Sequence, residues 1–331
     1  MGFLPFEQEA RAVVVRRHAE TSPNYGCRPE ERPLAERLQC GIIILDKPAG
    51  PSSHQVSAYL QKILGLKKSG HAGTLDPKVT GVLPVGLGRG TRIVHSLLVA
   101  GKEYVALMHL HKPSDEYKVR KLLAEFQGTI SQLPPVKSAV KRQLRERTIY
   151  YIELLDIQGQ DVLFKAGTQA GTYIRKLCHD MGLAAKDDDG KPSGAHMAEL
   201  RRTKAGPFNE TVAVTLQDVT DAFHYYENGD PRMLNEIVLP VERGVAHLKK
   251  IWVLDSAVDP LCNGVRLKVP GISKLHDNIS PGDMVAVLTL KDELVLVGKA
   301  ALDSHALLGG KGVAVVTEQV FLPSGTYPKN E

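Results

Sequence analysis

Gly70-His71-Ala72-Gly73-Thr74-Leu75-Asp76-Pro77, written GHAGTLDP, sets one carboxylate among small, bend-forming residues and follows it at once with proline. An Asp in a turn bonds local backbone N–H groups and is followed well by Pro, which gives Asp76 a purely conformational reason to be there. The same side chain is open to two further roles, metal ligand and reactive group. The eight residues alone do not choose among the three.

On its N-terminal side, GIIILDKP begins just after Cys40 as a short, β-branched apolar run closed by Pro48, the composition of a buried strand. Ser53 then opens a helical pattern in which Val56, Tyr59, Leu60, Ile63 and Leu64 recur at helical spacing, with Gly65 as the stop. On the C-terminal side come GVLPVGLGRGT and a helix through TRIVHSLLVAG, ended by Gly101. KEYVALMHL reads as a strand, DEYKVRKLLAEF as an amphipathic helix, and TIYYIELLDI and DVLFKAGT as strands. GTYIRKLCHDMGLA then reads as a helix and HMAELRRTKAGPF as a strand. Strands and helices mixed without a regular βαβ repeat predict an α+β domain with a mixed, largely antiparallel sheet. The pattern breaks between Glu242 and Lys250, and short strands separated by Pro/Gly turns follow. They predict a small β-barrel of about 80 residues. Residues 1–37, with Pro5, Pro23, Pro29 and Pro33, read as an extension lying on another part of the chain. The expected divisions are therefore 1–37, 38–247 and 248–331, with KDDDGKPSG at 186–194 as a solvated acidic loop.

Of the 331 residues, 43% are hydrophobic and 24% charged, ordinary values for a globular protein, and no run approaches the roughly 18 apolar residues of a membrane helix. Glu7 and Glu9 stand where a signal peptide wants a basic start and an apolar segment, so a cytoplasmic protein with no membrane partner is expected. Cys27, Cys40, Cys178 and Cys262 form no CxxC pair and read as buried thiols. Charge is unevenly placed: residues 38–247 hold 27 Lys/Arg against 22 Asp/Glu, while 1–37 and 248–331 are each balanced. A basic surplus confined to one domain fits a polyanionic partner or a plain solvated surface. GLGRGT at 86–91 lacks both the Lys-Ser/Thr ending of a phosphate loop and dinucleotide-fold spacing, and reads as a turn opening a helix. No metal-ligand spacing and no G-x-S-x-G elbow occur. The PPVKSAVKRQLRERTIYY stretch is different, with Lys137, Lys141, Arg142, Arg145 and Arg147 against Glu146 alone and two tyrosines following. It reads either as a phosphate-contacting flap or as a solvated hairpin.

GHAGTLDP, followed after three residues by GVLPVGLGRGT, resembles the signature of the TruB-type pseudouridine synthases. KPAGPSS at 47–53, KEY at 102–104, GTYIRKL at 171–177 and LRRTKAGPF at 200–208 follow in the family's order. The PPVKSAVKR loop, the N-terminal extension and a β-rich tail similar to a PUA domain narrow the likeness to the archaeal and eukaryotic, dyskerin, branch. The resemblance implies an isomerase that detaches uracil from its ribose, rotates it and reattaches it through carbon, with no cofactor and no metal. It implies Asp76 as the catalytic carboxylate, Arg175 as its ion-pair partner and Tyr104 as the tyrosine stacked on the base. Tyr173 and Leu200 would line the uracil pocket, and His71 would occupy space near the flipped base. Lys137, Lys141, Arg142 and Arg145 would belong to a mobile thumb at 131–148 over the substrate RNA. The tail would hold an H/ACA guide RNA through groups such as Lys249, Lys250, Arg266 or Lys268, with archaeal H/ACA accessory proteins completing the particle. A stand-alone tRNA-modifying enzyme and a non-catalytic RNA scaffold remain as alternatives.

Overall fold

The computed structural model describes residues 2–134, 142–187 and 189–329. Its strands in chain order are β1 (Val13–Val15), β2 (Gly41–Lys47), β3 (Ser69–His71), β4 (Thr80–Leu87), β5 (Lys102–Leu110), β6 (Gly128–Gln132), β7 (Arg145–Gln158), β8 (Asp161–Thr168) and β9 (Ala195–Ala205). They continue with β10 (Phe208–Asn209), β11 (Leu239–Pro240), β12 (Lys249–Val253), β13 (Leu267–Lys268), β14 (Ile272–His276), β15 (Met284–Leu288), β16 (Leu294–Ala300) and β17 (Val313–Val320).

One sheet runs β11-β2-β4-β9-β5-β8-β7-β6, with β10 on β9 and β3 on β4. Its ladders are antiparallel except for β4 with β9, so the mixed, largely antiparallel α+β reading holds. The parallel pair is short, Thr80 with Arg201 and Gly81 with Arg202. It sets the chain leaving the GHAGTLDP loop directly beside the arginines of LRRTKAGPF. Gly81 has φ of 105°, and a Cβ there would meet the Arg202 carbonyl oxygen at 2.2 Å, so only glycine fits. The helix Ser53–Ile63 begins through a reciprocal cap: Ser52 N–H donates to Gln55 Oε1 (2.8 Å) and Gln55 N–H donates to Ser52 Oγ (3.2 Å). The helix Ile174–Ala184 covers the other half of the sheet, burying Ile174, Leu177, Cys178 and Met181 against Met108, Phe164 and Ala166.

The second sheet is curled and runs β1-β14-β12-β15-β16-β17-β13. Its edge strand β1 is supplied by the N-terminal extension, Val13 to Val15 pairing with His276 to Lys274. The two sheets share apolar contacts: Ile42, Ile44, Val82, Ile93 and Leu97 from the first pack in one cluster with Trp252, Leu288, Leu294 and Phe321 from the second.

Several elements differ from the expectation. GVLPVGL is a nearly fully buried strand, although Pro84 lies inside it. Proline inside an apolar run argues against an interior strand because it cannot donate to the ladder; here its carbonyl instead accepts the Ala72 N–H (2.8 Å). GLGRGT does lead into a helix as read: Gly86 and Leu87 end β4, and a 3-10 turn, Gly88–Ile93, opens the short helix Val94–Leu98. Helices Leu216–Glu227 and Arg232–Ile237 follow β10, and Asp255–Cys262 and Ser304–Gly309 interrupt what reads as an all-strand tail. Cys40 and Cys178 are buried, whereas Cys27 and Cys262 are half-buried.

At the junction of the sheets, His247 is 9% exposed and His276 7% exposed. Burial is the main cause holding each imidazole down at about 4 from an ordinary 6.5, and the nearby cationic Arg11 adds to it. The unfolded chain therefore binds more protons than the native one between those values, so stability is full above about pH 6.5 and falls as pH drops toward 4. Each histidine should cost roughly 2 kcal/mol by pH 5. In denaturant melts at pH 7 and pH 5, His247→Gln is expected to shrink the stability difference by about that amount; an unchanged difference would mean His247 protonates without opening the junction.

Candidate active site

The loop between β3 and β4 carries Asp76, and side chains from distant motifs hold its backbone. Ser53 Oγ accepts the Leu75 N–H (2.8 Å) and donates to the Leu75 carbonyl (3.1 Å), both inside the protein. Gly50 N–H donates to the Pro77 carbonyl (2.9 Å) and Val79 N–H to the Asp76 carbonyl (3.0 Å). The fully buried Lys47 spends its ammonium on three carbonyls, Pro48 (2.8 Å), Pro77 (3.0 Å) and Val79 (2.8 Å). Arg202, 1% exposed, donates through Nε to Val82 O (2.7 Å) and through Nη2 to Gly73 O (3.1 Å). The bend is thus made by backbone and by neighbouring side chains. The Asp76 carboxylate is left 54% exposed at the surface of the loop.

Arg175, the second residue of the helix Ile174–Ala184, reaches that carboxylate across 99 positions of sequence and donates through Nη2 to Asp76 Oδ2. Arg175 is itself 58% exposed, so in open solvent the pair contributes little to stability. The guanidinium donates to one carboxylate oxygen and so aims the carboxylate. Tyr173 caps the same helix, and the buried Gln132 at the end of β6 clasps its backbone, accepting its N–H (3.0 Å) and donating to its carbonyl (3.1 Å). Tyr104 on β5 lies directly across from Arg202 on β9 and packs, half-buried, in the same apolar cluster as Leu200. Leu200 lies across from Ala106 on the same ladder.

His71 on β3 meets the exposed His54 edge-on, with ring centroids 4.6 Å apart and planes at 76°. Burial, with His54 and Arg202 beside it, pushes His71 down to about 4, so it is a neutral imidazole at pH 7. Both its ring nitrogens are buried without a protein partner. Lys102 on β5 caps the short helix before it, donating to the carbonyls of Leu97 (3.0 Å), Leu98 (2.7 Å) and Ala100 (2.7 Å). Burial and Arg202 lower Lys102 to about 7 and lower Lys47 as well. Lys47, Lys102 and Arg202 therefore form an electropositive floor whose described hydrogen bonds to backbone all end on carbonyls.

Asp76, Arg175, Tyr104, Tyr173, Leu200 and His71 thus lie on four elements and one loop around one end of the first sheet. The expected basic groups are placed differently. Arg142 is exposed and Arg145 is half-buried at the start of β7, while Lys137 and Lys141 lie outside the described residues. Lys249 turns inward, paired with Asp283 (2.7 Å) and Glu9 (3.4 Å) and donating to Asn278 O (2.6 Å). Burial lowers Lys250 despite the nearby Asp292. The Lys249 ammonium is thus engaged within the protein, and Lys250 is half-buried. Asp187 in the acidic loop is engaged by Lys112. Among the described residues, no cluster of three or more His, Cys, Asp or Glu is arranged to hold a metal ion, and no helix is long and apolar enough to cross a membrane.

Sequence reading gives none of Lys47, Ser53, Lys102, Gln132 or Arg202 a part in the site. Four of them sit inside KPAGPSS, KEY and LRRTKAGPF, so the motifs carried the signal. Gln132 had none.

Comparison with known proteins bears directly on this site. The family model "TruB family pseudouridylate synthase (N terminal domain)" matches residues 61–174, and "tRNA pseudouridylate synthase B C-terminal domain" matches 175–246. A "DKCLD (NUC011) domain" matches 4–57 and a "PUA domain" 249–321. A protein of Methanopyrus kandleri named "Probable tRNA pseudouridine synthase B" is 52% identical over 328 residues, 98% of this chain and 95% of its own length. One of the same name from Pyrococcus furiosus is 51% identical over 98% of this chain and 95% of its own length. A chain of a solved "Cbf5-Nop10-Gar1 Complex" superposes with a TM-score of 0.94 at 51% identity, covering 99% of both chains. Another, from an "H/ACA RNP bound to a substrate RNA containing 2'-deoxyuridine", gives 0.91 at 49% identity and the same coverage. With half of its residues shared across nearly its whole length, the chain belongs to the TruB family of pseudouridylate synthases.

Proposed function

We propose that this enzyme isomerises uridine to pseudouridine in RNA as the catalytic subunit of an H/ACA guide ribonucleoprotein, with Asp76 as the catalytic carboxylate. The observation that carries the reading is the exposed Asp76 carboxylate, held by its backbone clamps and paired with Arg175. In the reaction the C1′–N1 bond breaks and a C1′–C5 bond forms. N1 takes up a proton and C5 gives one up, so no electrons and no external group are exchanged. An aimed, ionised carboxylate suits that chemistry, adding to an electrophilic carbon of base or sugar or stabilising a sugar cation. Tyr104 stacks on the base and faces the sugar. Tyr173 and Leu200 line the uracil pocket. His71, neutral and with both nitrogens unpartnered, fills space beside the flipped base. Extracting the base costs on the order of a few kcal/mol, which these contacts and phosphate contacts from Arg142 and Arg145 offset.

In this reading residues 38–247 are the catalytic domain, 248–331 an RNA-binding PUA domain, and 1–37 an extension lying on it, in a cytoplasmic protein. Guide RNA selects the uridine by base pairing, and accessory proteins such as the Nop10 and Gar1 of the similar complexes complete the particle. The names of the curated relatives favour a second reading, direct action on tRNA. A pseudouridine assay on ribosomal and transfer RNA fragments, run with and without guide RNA and accessory proteins, separates the two. Conversion that requires the guide supports the first reading; full activity of the protein alone on tRNA, with no guide-directed conversion, overturns it.

Arg175→Lys keeps the charge but replaces the planar fork with a compact ammonium. Single-turnover conversion is expected to fall roughly 30-fold, about 2 kcal/mol of transition-state stabilisation, with RNA affinity retained. A wild-type rate would mean that Arg175 does not aim Asp76.

A further inference from the structure

We infer that Arg202 is a positioning residue that locks Tyr104 to the loop carrying Asp76; the inference rests on the reading of Asp76 and Tyr104 as the reacting groups. Arg202 lies directly across from Tyr104 in the β5–β9 ladder, so the two side chains leave the same face of the sheet. The guanidinium stands beside Tyr104 across the ladder, Nε donates to the Val82 carbonyl (2.7 Å), and Nη2 donates to the Gly73 carbonyl (3.1 Å). Nη1 lies 3.2 Å from where a Cβ on Gly73 would stand, so even alanine there would crowd the fork. Gly73 is three residues before Asp76, and Val82 lies on the strand that leaves the same loop. One rigid, planar group thus ties the loop to the strand that follows it and stands beside Tyr104.

The cost of placing it there is high. Arg202 is 1% exposed, and the groups that feel its charge are Lys47, Lys102 and the neutral His71, none of them acidic. A buried guanidinium without a carboxylate is expensive, and an apolar side chain would fill a sheet position more cheaply. What it contributes is geometry: five N–H groups in a fixed fork hold acceptors from two elements in register, which an ammonium cannot do.

If Arg202 acts through Tyr104, its effect disappears when the phenol is already gone. The test is a double-mutant cycle of Arg202→Lys and Tyr104→Phe in the full-length protein, reading single-turnover conversion, RNA affinity and unfolding midpoint. Arg202→Lys alone is expected to slow conversion about 30-fold with RNA affinity unchanged, and to slow it less than about threefold in the Tyr104→Phe background. Equal losses in the two backgrounds, or no loss in either, would overturn the inference and leave the reading of Tyr104 standing. Tyr104→Phe at the wild-type rate would instead overturn the reading on which it rests. Should Arg202→Lys not fold, Arg202→Gln enters the same cycle with the same expectations.

Discussion

Asp76→Asn is expected to abolish conversion of uridine, a loss on the order of 10³-fold or more, while folding and RNA binding stay intact. The substitution is nearly isosteric and removes only the charge. The bend that presents position 76 is made by Ser53, Lys47, Arg202 and the backbone, none of which uses the Asp76 carboxylate. More than half of the side chain is exposed, so no buried partner is stranded. An amide cannot add to an electrophilic carbon or stabilise a sugar cation as a carboxylate does. The measurement is pseudouridine formation alongside a gel-shift and a melting curve. Retained conversion would sink the assignment of Asp76, whereas loss of conversion with loss of RNA binding would move the defect from chemistry to substrate capture.

Lys47→Met is expected to damage both stability and rate, although Lys47 is fully buried and its ammonium is committed to the loop. The stem is matched in length, so the core is refilled, but the carbonyls of Pro48, Pro77 and Val79 lose their charged donor. The Pro77 carbonyl keeps the Gly50 N–H and only the Val79 bond is buried, so one unpaired buried acceptor at roughly 1–3 kcal/mol dominates, with relief of ammonium burial returning part of the loss. A net loss of about 2 kcal/mol is expected, seen as a fall of roughly 3–6 °C in the unfolding midpoint. Pro77 directly follows Asp76 and Val79 comes two positions later, so conversion should also fall more than about tenfold well below that midpoint. An unchanged midpoint would show that the three carbonyls find other donors.

The sequence reads differently at different depths. Period and composition find β2, β5, β7, β8 and β9 and the helix Ser53–Ile63, because each is a clean run with a stop signal. They leave β4 unassigned; Pro84 departs from the strand rule there, and pairing to β2, β3 and β9 holds the strand. They miss the helices of the tail because each is short and set between strands. In the site, motif order brings Asp76 and Arg175 together, and the structure places them in contact. Composition gives a count of charges and says nothing of which face inward. That is why Lys249 reads as an RNA-facing cation yet is tied to Asp283 and Glu9, while Lys47, Lys102 and Arg202, which no count singles out, form the floor of the site.

The apolar cluster that joins Ile42, Ile44 and Val82 to Trp252, Leu288 and Phe321 has a consequence for how length is measured along RNA. Packed side chains, rather than a flexible tether, fix the distance between the curled sheet and Asp76. A strand of RNA anchored on the curled sheet would therefore be gauged against a rigid caliper, and the nucleotide that arrives at the carboxylate would be set by the dimensions of the protein as well as by its pairing.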